Sequence, residues 1–326
     1  MKLIVLNPQA KRLRSQKKRE KIMDLIRQSG QDFEVVCVFG KQTMYEMLSE
    51  ICQTHTIKEM YVAGGDGTFR DVMNWLIKQG MYKDCKLTYL GGGEFCYMRK
   101  FFHLPSADPL KNLRQIFFGT LNSQHIFWRP VQVTDLATQH VQYCSVFANG
   151  VIYDIIRWYE EKGKGSVFKV LLIILSSIFC VLFERIRQWH GRLFSVRANI
   201  EMDGRKIPPQ EYLSIVIAAV PEFMMWCRPF QKNAWFFQTF NLMYWGSFVK
   251  LACSIPWVYF GKCPYWLQGV YFNDVIQKTI IHTSDARVSM DGDTIDWPEH
   301  NRNGQRVLSH WFEITRGPEL HLITYF

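Results

Sequence analysis

The sequence predicts an α/β domain with a doubly wound parallel sheet, followed by a β-rich domain with an antiparallel sandwich. Up to about residue 127, short apolar strands alternate with helical patterns, and glycine-rich turns follow two of the strands. From residue 128 the strands instead alternate polar and apolar residues, which suits antiparallel pairing with one wet face. We expect domains at 1–127 and 128–315, and a last strand at about 316–326 that can return to the first domain.

Apolar runs mark the strands of the first domain, and residues at helical spacing mark the helices between them. Strands are predicted at Leu3–Leu6, Phe33–Phe39, Tyr61–Ala63 and Leu87–Leu90, and a helix at Met44–Ile51. In such sheets ligands bind beyond the carboxyl ends of the strands. Because Asn7, Gly64 to Thr68 and Gly91 to Gly93 all follow strand ends, we expect three loops to converge on one crevice.

The stretch from Gly64 to Thr68 reads Gly-Gly-Asp-Gly-Thr and separates a buried strand from an amphipathic helix. Glycines permit positive φ and close approach of a ligand to the backbone, and a helix N-terminus presents N–H groups to an anion. We therefore expect this stretch to bind phosphate groups, with Thr68 as the helix N-cap and Asp66 exposed at the turn. A turn that needs glycine only for its own geometry is the alternative.

Composition predicts a globular chain with an anionic partner. The 326 residues are 48% hydrophobic and carry a net charge of +10, which favours a nucleotide, a nucleic acid or an acidic membrane surface. The nine cysteines include no Cys-x-x-Cys pair, so we expect neither a zinc site nor a disulfide framework, and a reducing, cytoplasmic compartment fits best. The apolar run at Leu3–Leu6 is too short for a signal peptide, so no cleaved targeting segment is expected.

A basic run follows the first strand and predicts a helix with a strongly cationic start. Its seven basic residues are Lys11, Arg12, Arg14, Lys17, Lys18, Arg19 and Lys21. A solvated helix face is the ordinary interpretation, whereas attraction of a nucleotide or an anionic lipid is the functional one. No nucleic-acid reader motif accompanies the charge, so nucleic-acid binding is not expected.

The second domain combines predicted strands with two unusually apolar segments. Strands are predicted near Val131 and Gln142 and, beyond them, on both sides of an Asp203-Gly204 hairpin turn. A helix at 166–188 contains a run of fourteen uncharged residues, which reaches only about 21 Å and is too short to span a bilayer. It either packs in a core or lies at a membrane interface. The aromatic segment at 223–266 suits an acyl-chain cleft or a membrane-facing surface, or else an aromatic core.

The glycine stretch resembles the nucleotide-binding motif of the diacylglycerol kinase catalytic family, which includes bacterial lipid kinases and sphingosine and ceramide kinases. A similar motif occurs in NAD kinases and phosphofructokinases. The resemblance extends to the loop after Leu90, which in the family usually reads Gly-Thr-x-Asn before a Leu-Pro. With Leu104-Pro105 setting the register, Glu94 stands at the threonine and Cys96 at the asparagine. The residues that the resemblance assigns to nucleotide binding are Asn7, Gly64, Gly65, Asp66, Gly67, Thr68, Gly92, Gly93 and Glu94.

Two aspartates are expected to take part in catalysis. The resemblance implies that Asp66 lies near the phosphates or their metal ion. The segment from Arg287 to Asp293 resembles the family's Asp-Gly-Glu motif, in which the aspartate, here Asp291, is the proposed base for the lipid hydroxyl. Asp-Gly is also common in plain hairpin turns. Likewise, Phe147 to Tyr153 resembles the family's asparagine-containing segment that leads into a helix of the lipid-handling domain, or else is a strand end with an Asn-Gly turn.

The resemblance implies a lipid kinase that uses ATP and Mg²⁺ to phosphorylate a lipid hydroxyl, such as that of diacylglycerol or a sphingoid base. Its metal ligands are left open. The main alternative is a lipid- or membrane-binding relative that has lost phosphoryl transfer, which Glu94 and Cys96 favour. An NAD kinase would share the glycine motif but would not explain the aromatic segment. The expected partners are a lipid substrate and an anionic membrane surface, bound peripherally, and a homodimer is left open.

Overall fold

A computed structural model of the chain describes residues 1–119, 121–161, 196–221, 238–243, 257, 262, 271–295, 297–298, 300–301, 303–307 and 309–326. The chain divides into two compact units, Met1–Pro130 with Pro318–Phe326, and Val131–Gly317. The apolar helix predicted at 166–188 lies outside the described residues, and so does most of the aromatic segment at 223–266.

The first unit is a largely parallel sheet with helices. Its strands are β1 (Lys2–Leu6), β2 (Phe33–Cys37), β3 (Glu59–Gly64), β4 (Lys86–Gly92), β5 (Ser123–Trp128) and β17 (Leu320–Tyr325), in the order β2-β1-β3-β4-β17-β5. Its helices are α1 (Gln16–Ser29), α2 (Lys41–Thr54), α3 (Asp66–Lys78), α4 (Met98–Phe101) and α5 (Pro109–Phe118). Every pairing is parallel except that of β5 with β17. The predicted parallel sheet is confirmed, and the C-terminal strand lies within it.

A fully buried apolar core holds the sheet against two of its helices. Ile4 and Leu6 of β1 pack in one cluster with Ile22 of α1 and Leu113 of α5, and all four side chains are inaccessible to solvent. Burial of each such side chain contributes about 1.5–3 kcal/mol. This core fixes the positions of the strand ends. It therefore also fixes the start of the loops that follow β1, β3 and β4.

The predicted helix with a basic start is present, since α1 contains Lys17, Lys18, Arg19 and Lys21, but the first three basic residues of the run lie in the loop before it. Helix α1 begins at Gln16, and the N-cap residue Ser15 has extended backbone. The preceding loop is held in place by hydrogen bonds, since the Arg12 N–H donates to the Gly92 carbonyl at 2.9 Å and Arg19 Nη1 donates to the Leu13 carbonyl at 2.9 Å. These hydrogen bonds stabilise a non-helical backbone in the residues before Gln16.

The second unit is antiparallel and β-rich, as predicted. Its strands are β6 (Val131–Asp135), β7 (His140–Cys144), β8 (Val146–Gly150), β9 (Val196–Met202), β10 (Arg205–Ala218), β11 (Gln238–Met243), β12 (Tyr271–Val275), β13 (Lys278–Thr283), β14 (Val288–Met290), β15 (Asp293–Ile295) and β16 (His310–Arg316), with one helix, α6 (Val151–Glu161), described between β8 and β9. The main path runs β15-β14-β8-β10-β9-β13-β16-β6-β7. Three strands separate β8 from β16, yet the rings of Phe147 and Phe312 are 6.0 Å apart. The sheet therefore curls around its core.

Helices in the described part of the chain are short. The longest, α1 and α2, have 14 residues each. Within the described residues, no helix combines the length and the hydropathy that a membrane crossing requires.

A buried histidine and aspartate join β6 to β16 in the second unit. Nδ1 of His310 lies 2.5 Å from Oδ2 of Asp135, and the two side chains are 5% and 0% exposed. The Ala137 N–H donates to the other carboxylate oxygen at 2.8 Å. Burial by itself would raise the pKa of Asp135, but the hydrogen bonds from His310 and the backbone outweigh it and hold the pKa below its ordinary value.

We expect Asp135→Asn to lower the free energy of unfolding at pH 7 by about 1.5–3 kcal/mol, because it removes a buried hydrogen bond to a charged group. Since the folded-state pKa is depressed, this stabilisation is complete above the unfolded pKa of about 4 and is lost as the pH falls through the folded pKa. Urea unfolding between pH 2.5 and 7 should show the gap to wild type closing in acid. The exposed Asp32→Asn is the control, and a gap independent of pH would contradict this role of Asp135.

Candidate functional site

The loop after β1 is joined to the glycine stretch by the side chain of Asn7. Its Nδ2 donates to Oγ1 of Thr68 at 2.9 Å, and its backbone N–H donates to the Ala63 carbonyl at 2.9 Å. Its Oδ1 accepts the N–H of Gln9 at 2.9 Å, which turns the chain directly after β1. The structure therefore brings together two of the predicted nucleotide-binding residues, Asn7 and Thr68.

Helix α3 begins three residues earlier than predicted. Gly65 is the N-cap, Asp66 is the first helical residue, and the prediction of Thr68 as the N-cap is wrong. A glycine N-cap supplies no side-chain acceptor, and the first N–H groups of an α-helix have no partner within the helix. The turn from Gly65 to Thr68 thus has the N–H groups and the dipole orientation that attract an anion.

The two glycine turns pack directly against each other. Gly93 donates its N–H to the Gly64 carbonyl at 3.1 Å, and a Cβ placed on Gly93 would lie 2.6 Å from Cα of Gly65. Gly92 has φ of +133° and also touches the backbone of Gly64. On the other side, a Cβ on Gly64 would lie 2.6 Å from Cβ of Thr68. Packing within the first unit therefore requires glycine at these positions, whether or not a phosphate group binds there.

The prediction that Asp66 is exposed at this turn is wrong, because the residue is 8% exposed. Its two carboxylate oxygens accept the N–H groups of Tyr97 and Met98, each at 3.3 Å. These amides begin α4, so Asp66 links the glycine stretch to the loop after β4. Nearby, burial, with the charges of Asp66 and Cys96 adding to it, raises the pKa of the Tyr89 phenol well above its ordinary value.

Glu94 has a cationic partner that the sequence did not indicate. Lys11 Nζ lies 2.5 Å from Oε1 of Glu94, and the two side chains are 48% and 12% exposed. Arg12 adds a second contact to the same loop, with its Nε 3.3 Å from the Gly93 carbonyl. The only sequence signal for this pairing was the basic run itself. The negative charge at the predicted phosphate side is therefore compensated within the first unit.

Cys96 occupies a left-handed backbone position and is 2% exposed. Its φ is +47°, a conformation that asparagine and glycine adopt more readily than cysteine does. Burial, with the charge of Asp66 adding to it, raises the pKa of the thiol to about 11. The Cys96 thiol is thus a neutral, buried group rather than a thiolate nucleophile.

Asp291 lies in the second unit, in the turn of the β14–β15 hairpin. Asp291 and Gly292 have φ of +56° and +83°, as a two-residue hairpin turn requires. The residue is 5% exposed, and its Oδ1 accepts the N–H groups of Ser145 and Val146 at 2.8 and 2.9 Å. The hairpin interpretation of Asp-Gly is therefore correct, while the role of Asp291 as a base stays a prediction.

Sequence reasoning missed a charged cluster beside this hairpin. Nη1 of Arg287 lies 3.4 Å from Oδ1 of Asp154 on α6, and the guanidinium also binds both oxygens of Asp285. Asn149, at the end of β8, donates from Nδ2 to the Arg287 carbonyl at 3.0 Å. Burial raises the pKa of Asp154 to about 6, because it outweighs the charge of Arg287. No sequence motif includes Asp154, so its raised pKa becomes evident only from its packing in the structure.

Asp66 carries the one carboxylate of the stretch from Gly64 to Thr68. Among the described residues, no three or more histidine, cysteine, aspartate or glutamate side chains form a metal-binding group. Mg²⁺ in phosphoryl-transfer sites usually takes one or two carboxylates together with substrate phosphates and water. The residues present fit that pattern only through Asp66, whose oxygens already accept two N–H groups.

The fold and the joined loops define an α/β domain of the kind that holds phosphate groups at strand ends. Residues 2–127 match the model of the diacylglycerol kinase catalytic domain, which confirms the resemblance of the glycine stretch to that family. The match favours the lipid kinases over the NAD kinases.

Solved structures share the fold of the whole chain. One is described as a diacylglycerol kinase from Bacillus anthracis str. Sterne, with 14% identity and a TM-score of 0.62. Two others, described as candidate diacylglycerol kinases from the same organism, have 14% and 16% identity and TM-scores of 0.67 and 0.66. In each comparison 99% of this chain and 96% of the other are covered. No curated protein matches the sequence.

We expect Gly93→Ala to destabilise the first unit by about 1–3 kcal/mol, because its Cβ would overlap the Gly65 backbone. Gly65→Ala is the matched control, since its Cβ would meet Cα of Gly93 at an ordinary 3.5 Å. That variant should lose less than about 1 kcal/mol, the usual effect of a poorer N-cap. Urea unfolding measures both, and equal losses would contradict the packing of the two turns.

Proposed function

We propose that the protein transfers the γ-phosphoryl group of ATP to a lipid hydroxyl, such as that of diacylglycerol or a sphingoid base. The hydroxyl oxygen forms a bond to the γ-phosphorus, the bond from that phosphorus to the bridging oxygen breaks, and ADP leaves. The hydroxyl proton passes to a base. The observation that carries the proposal is the glycine turn at the start of α3, packed on the loop after β4 in a diacylglycerol kinase catalytic domain.

The first unit would supply the nucleotide contacts. N–H groups at the start of α3 offer hydrogen bonds to phosphate oxygens, and the glycines at 92 and 93 leave no side chain in the way. Asn7 holds Thr68 in place and so sets the side-chain edge of the turn. A divalent ion, when bound with the nucleotide, would neutralise phosphate charge, and Asp66 is the residue positioned to contribute to holding it.

The charge of Glu94 is not an obstacle to this proposal. An unpaired carboxylate near phosphates would repel them by several kcal/mol at about 4 Å with an effective dielectric constant near 20. Lys11 removes most of that repulsion by pairing with Glu94. The same lysine is half-exposed and could turn toward a phosphate group. Lys11 and Glu94 together would then tune nucleotide affinity.

The second unit would supply the base and the lipid site. Asp291 is the proposed base, and its Oδ1 is held by backbone N–H groups, which orients the carboxylate. The net charge of +10 supports peripheral attachment to an anionic membrane, where the lipid substrate would be found.

One set of observations favours the alternative of a lipid-binding relative without transfer activity. Both Asp66 and Asp291 are buried and use carboxylate oxygens as acceptors for backbone N–H groups. Residues of this kind can be retained for architecture alone. Glu94 and Cys96 also depart from the family's loop.

We expect the protein to phosphorylate at least one lipid in a radiolabelled-ATP assay with mixed micelles, and Asp291→Asn to reduce kcat by about 10² to 10⁴, the usual contribution of a positioned base. Asparagine keeps an oxygen for the Ser145 and Val146 amides, so the fold and the affinity for ATP and lipid should persist. Asp293→Asn is the control at the neighbouring carboxylate. Absence of transfer to every lipid, with unchanged binding by the variant, would support the lipid-binding alternative.

We expect Glu94→Thr with Cys96→Asn to raise the affinity for ATP severalfold. Threonine removes a negative charge from the loop, and asparagine suits the left-handed backbone at position 96. Lys11→Met should act in the opposite direction, because it leaves Glu94 uncompensated. Isothermal titration calorimetry with Mg²⁺ and ATP measures all three proteins. A loss of affinity in the double variant would show that Glu94 itself contributes to binding.

A further inference from the structure

The charged cluster in the second unit ties α6 to the first strand of the Asp291 hairpin. Arg287 directly precedes β14, and its Nη1 lies 3.4 Å from Oδ1 of Asp154. Its Nε and Nη2 bind Asp285 at 2.8 and 2.5 Å, which holds the guanidinium in a fixed plane. The backbone of Arg287 is fixed as well, by the hydrogen bond from Asn149. Arg287 is therefore rigid, and Asp154 is its contact with α6.

The second strand of the hairpin is tied to the same helix. Oγ1 of Thr294, in β15, donates to Oε2 of Glu160 at 2.7 Å. Asp154 and Glu160 are six residues apart on α6, which corresponds to about 9 Å along the helix axis. The hairpin thus has one attachment to α6 on each strand, while its turn is attached to β8 through Asp291.

We propose that Asp154 is a positioning residue that acts through Arg287 to hold the Asp291 hairpin in the orientation its reaction needs. This inference rests on the proposed function for its catalytic meaning. Backbone pairing of β14 with β8, through Val288, Ser289 and Met290, sets the register of the hairpin along one edge. The contacts with α6 restrain the hairpin from the other direction. Loss of the Asp154 contact would leave β14 paired but less firmly oriented.

The ion pair with Arg287 requires an ionised Asp154, so its charge attraction depends on pH. Oδ2 of Asp154 is buried and has no hydrogen-bond partner among the described residues, and burial raises the pKa of the group to about 6. The charged groups that act on it are Arg287 and Asp285 beside β14 and Arg157 on α6 itself. Strand β8 carries no charged residue, the part of β10 that pairs with β8 carries none either, and β15 adds Asp293.

The sign of the stability effect follows from the raised pKa. Between the unfolded pKa of about 4 and the folded pKa, the folded protein binds the proton more tightly, so stability falls as the pH rises through this window. A variant with a neutral residue at position 154 does not show this fall in stability as the pH rises. Asp154→Asn should therefore gain stability relative to wild type on going from pH 4.5 to 7.5, even though it loosens the hairpin.

The experiment uses the full chain with Asp154→Asn, and Glu161→Gln, an exposed acid on the same helix, as the matched control. At pH 7.5, hydrogen exchange by mass spectrometry should be at least threefold faster in Asp154→Asn over Val288–Met290. The difference in Tm between Asp154→Asn and wild type should increase from pH 4.5 to 7.5.

In the lipid assay, wild-type kcat should fall about tenfold from pH 7 to 5 with little change in the KM for ATP, and Asp154→Asn should lack that fall.

Unchanged exchange in the hairpin, or a Tm difference that does not vary with pH, would overturn the positioning role. If no lipid is phosphorylated, the proposed function fails, but the exchange and Tm measurements still decide this inference. Arg287→Lys, which keeps the charge but cannot bridge two carboxylates, is the second variant should Asp154→Asn not fold. It should loosen the same three residues at pH 7.5, and normal protection in it would count against the inference.

Discussion

The close contact between two glycine turns is the constraint on which the first domain depends. Strands β3 and β4 run side by side into their turns, and Gly93 approaches Gly65 so closely that a Cβ on Gly93 could not be accommodated. That contact brings the start of α3 beside the loop after β4. This proximity allows Asp66 to accept the amides of Tyr97 and Met98 at the start of α4. A motif usually explained by ligand approach is here also required by packing.

The charges around these turns are largely paired within the domain. Lys11 meets Glu94, Lys18 meets Asp108 at 2.8 Å, and Arg12 binds a backbone carbonyl of the loop after β4. Part of the basic run is thus used to fold the loop after β1 onto its neighbour. The Lys11 and Glu94 contact joins two loops that are far apart in sequence, and it explains how a carboxylate persists where the family's loop usually has threonine.

The second domain places three carboxylates, two buried and one partly buried, in three different environments. Asp135 is held by His310 and the backbone, Asp291 by two backbone amides, and Asp154 by one guanidinium contact that does not offset its burial. Hydrogen bonds to the ionised form stabilise it, whereas burial without enough partners favours the proton. An aspartate therefore stays ionised at position 135, whereas at position 154 its contact with Arg287 depends on pH.

The sequence by itself determined the parallel sheet, the antiparallel second domain and the glycine turn, because apolar periodicity and glycine are local properties of the chain. It also placed Asn7 beside the turn and marked the Asp291 hairpin. Only the tertiary structure decided that α3 begins at Asp66, that Glu94 pairs with Lys11 and that Asp154 contacts Arg287. The two ion pairs join residues 83 and 133 positions apart. Such contacts depend on how strands and helices pack, and no local pattern of residues encodes them.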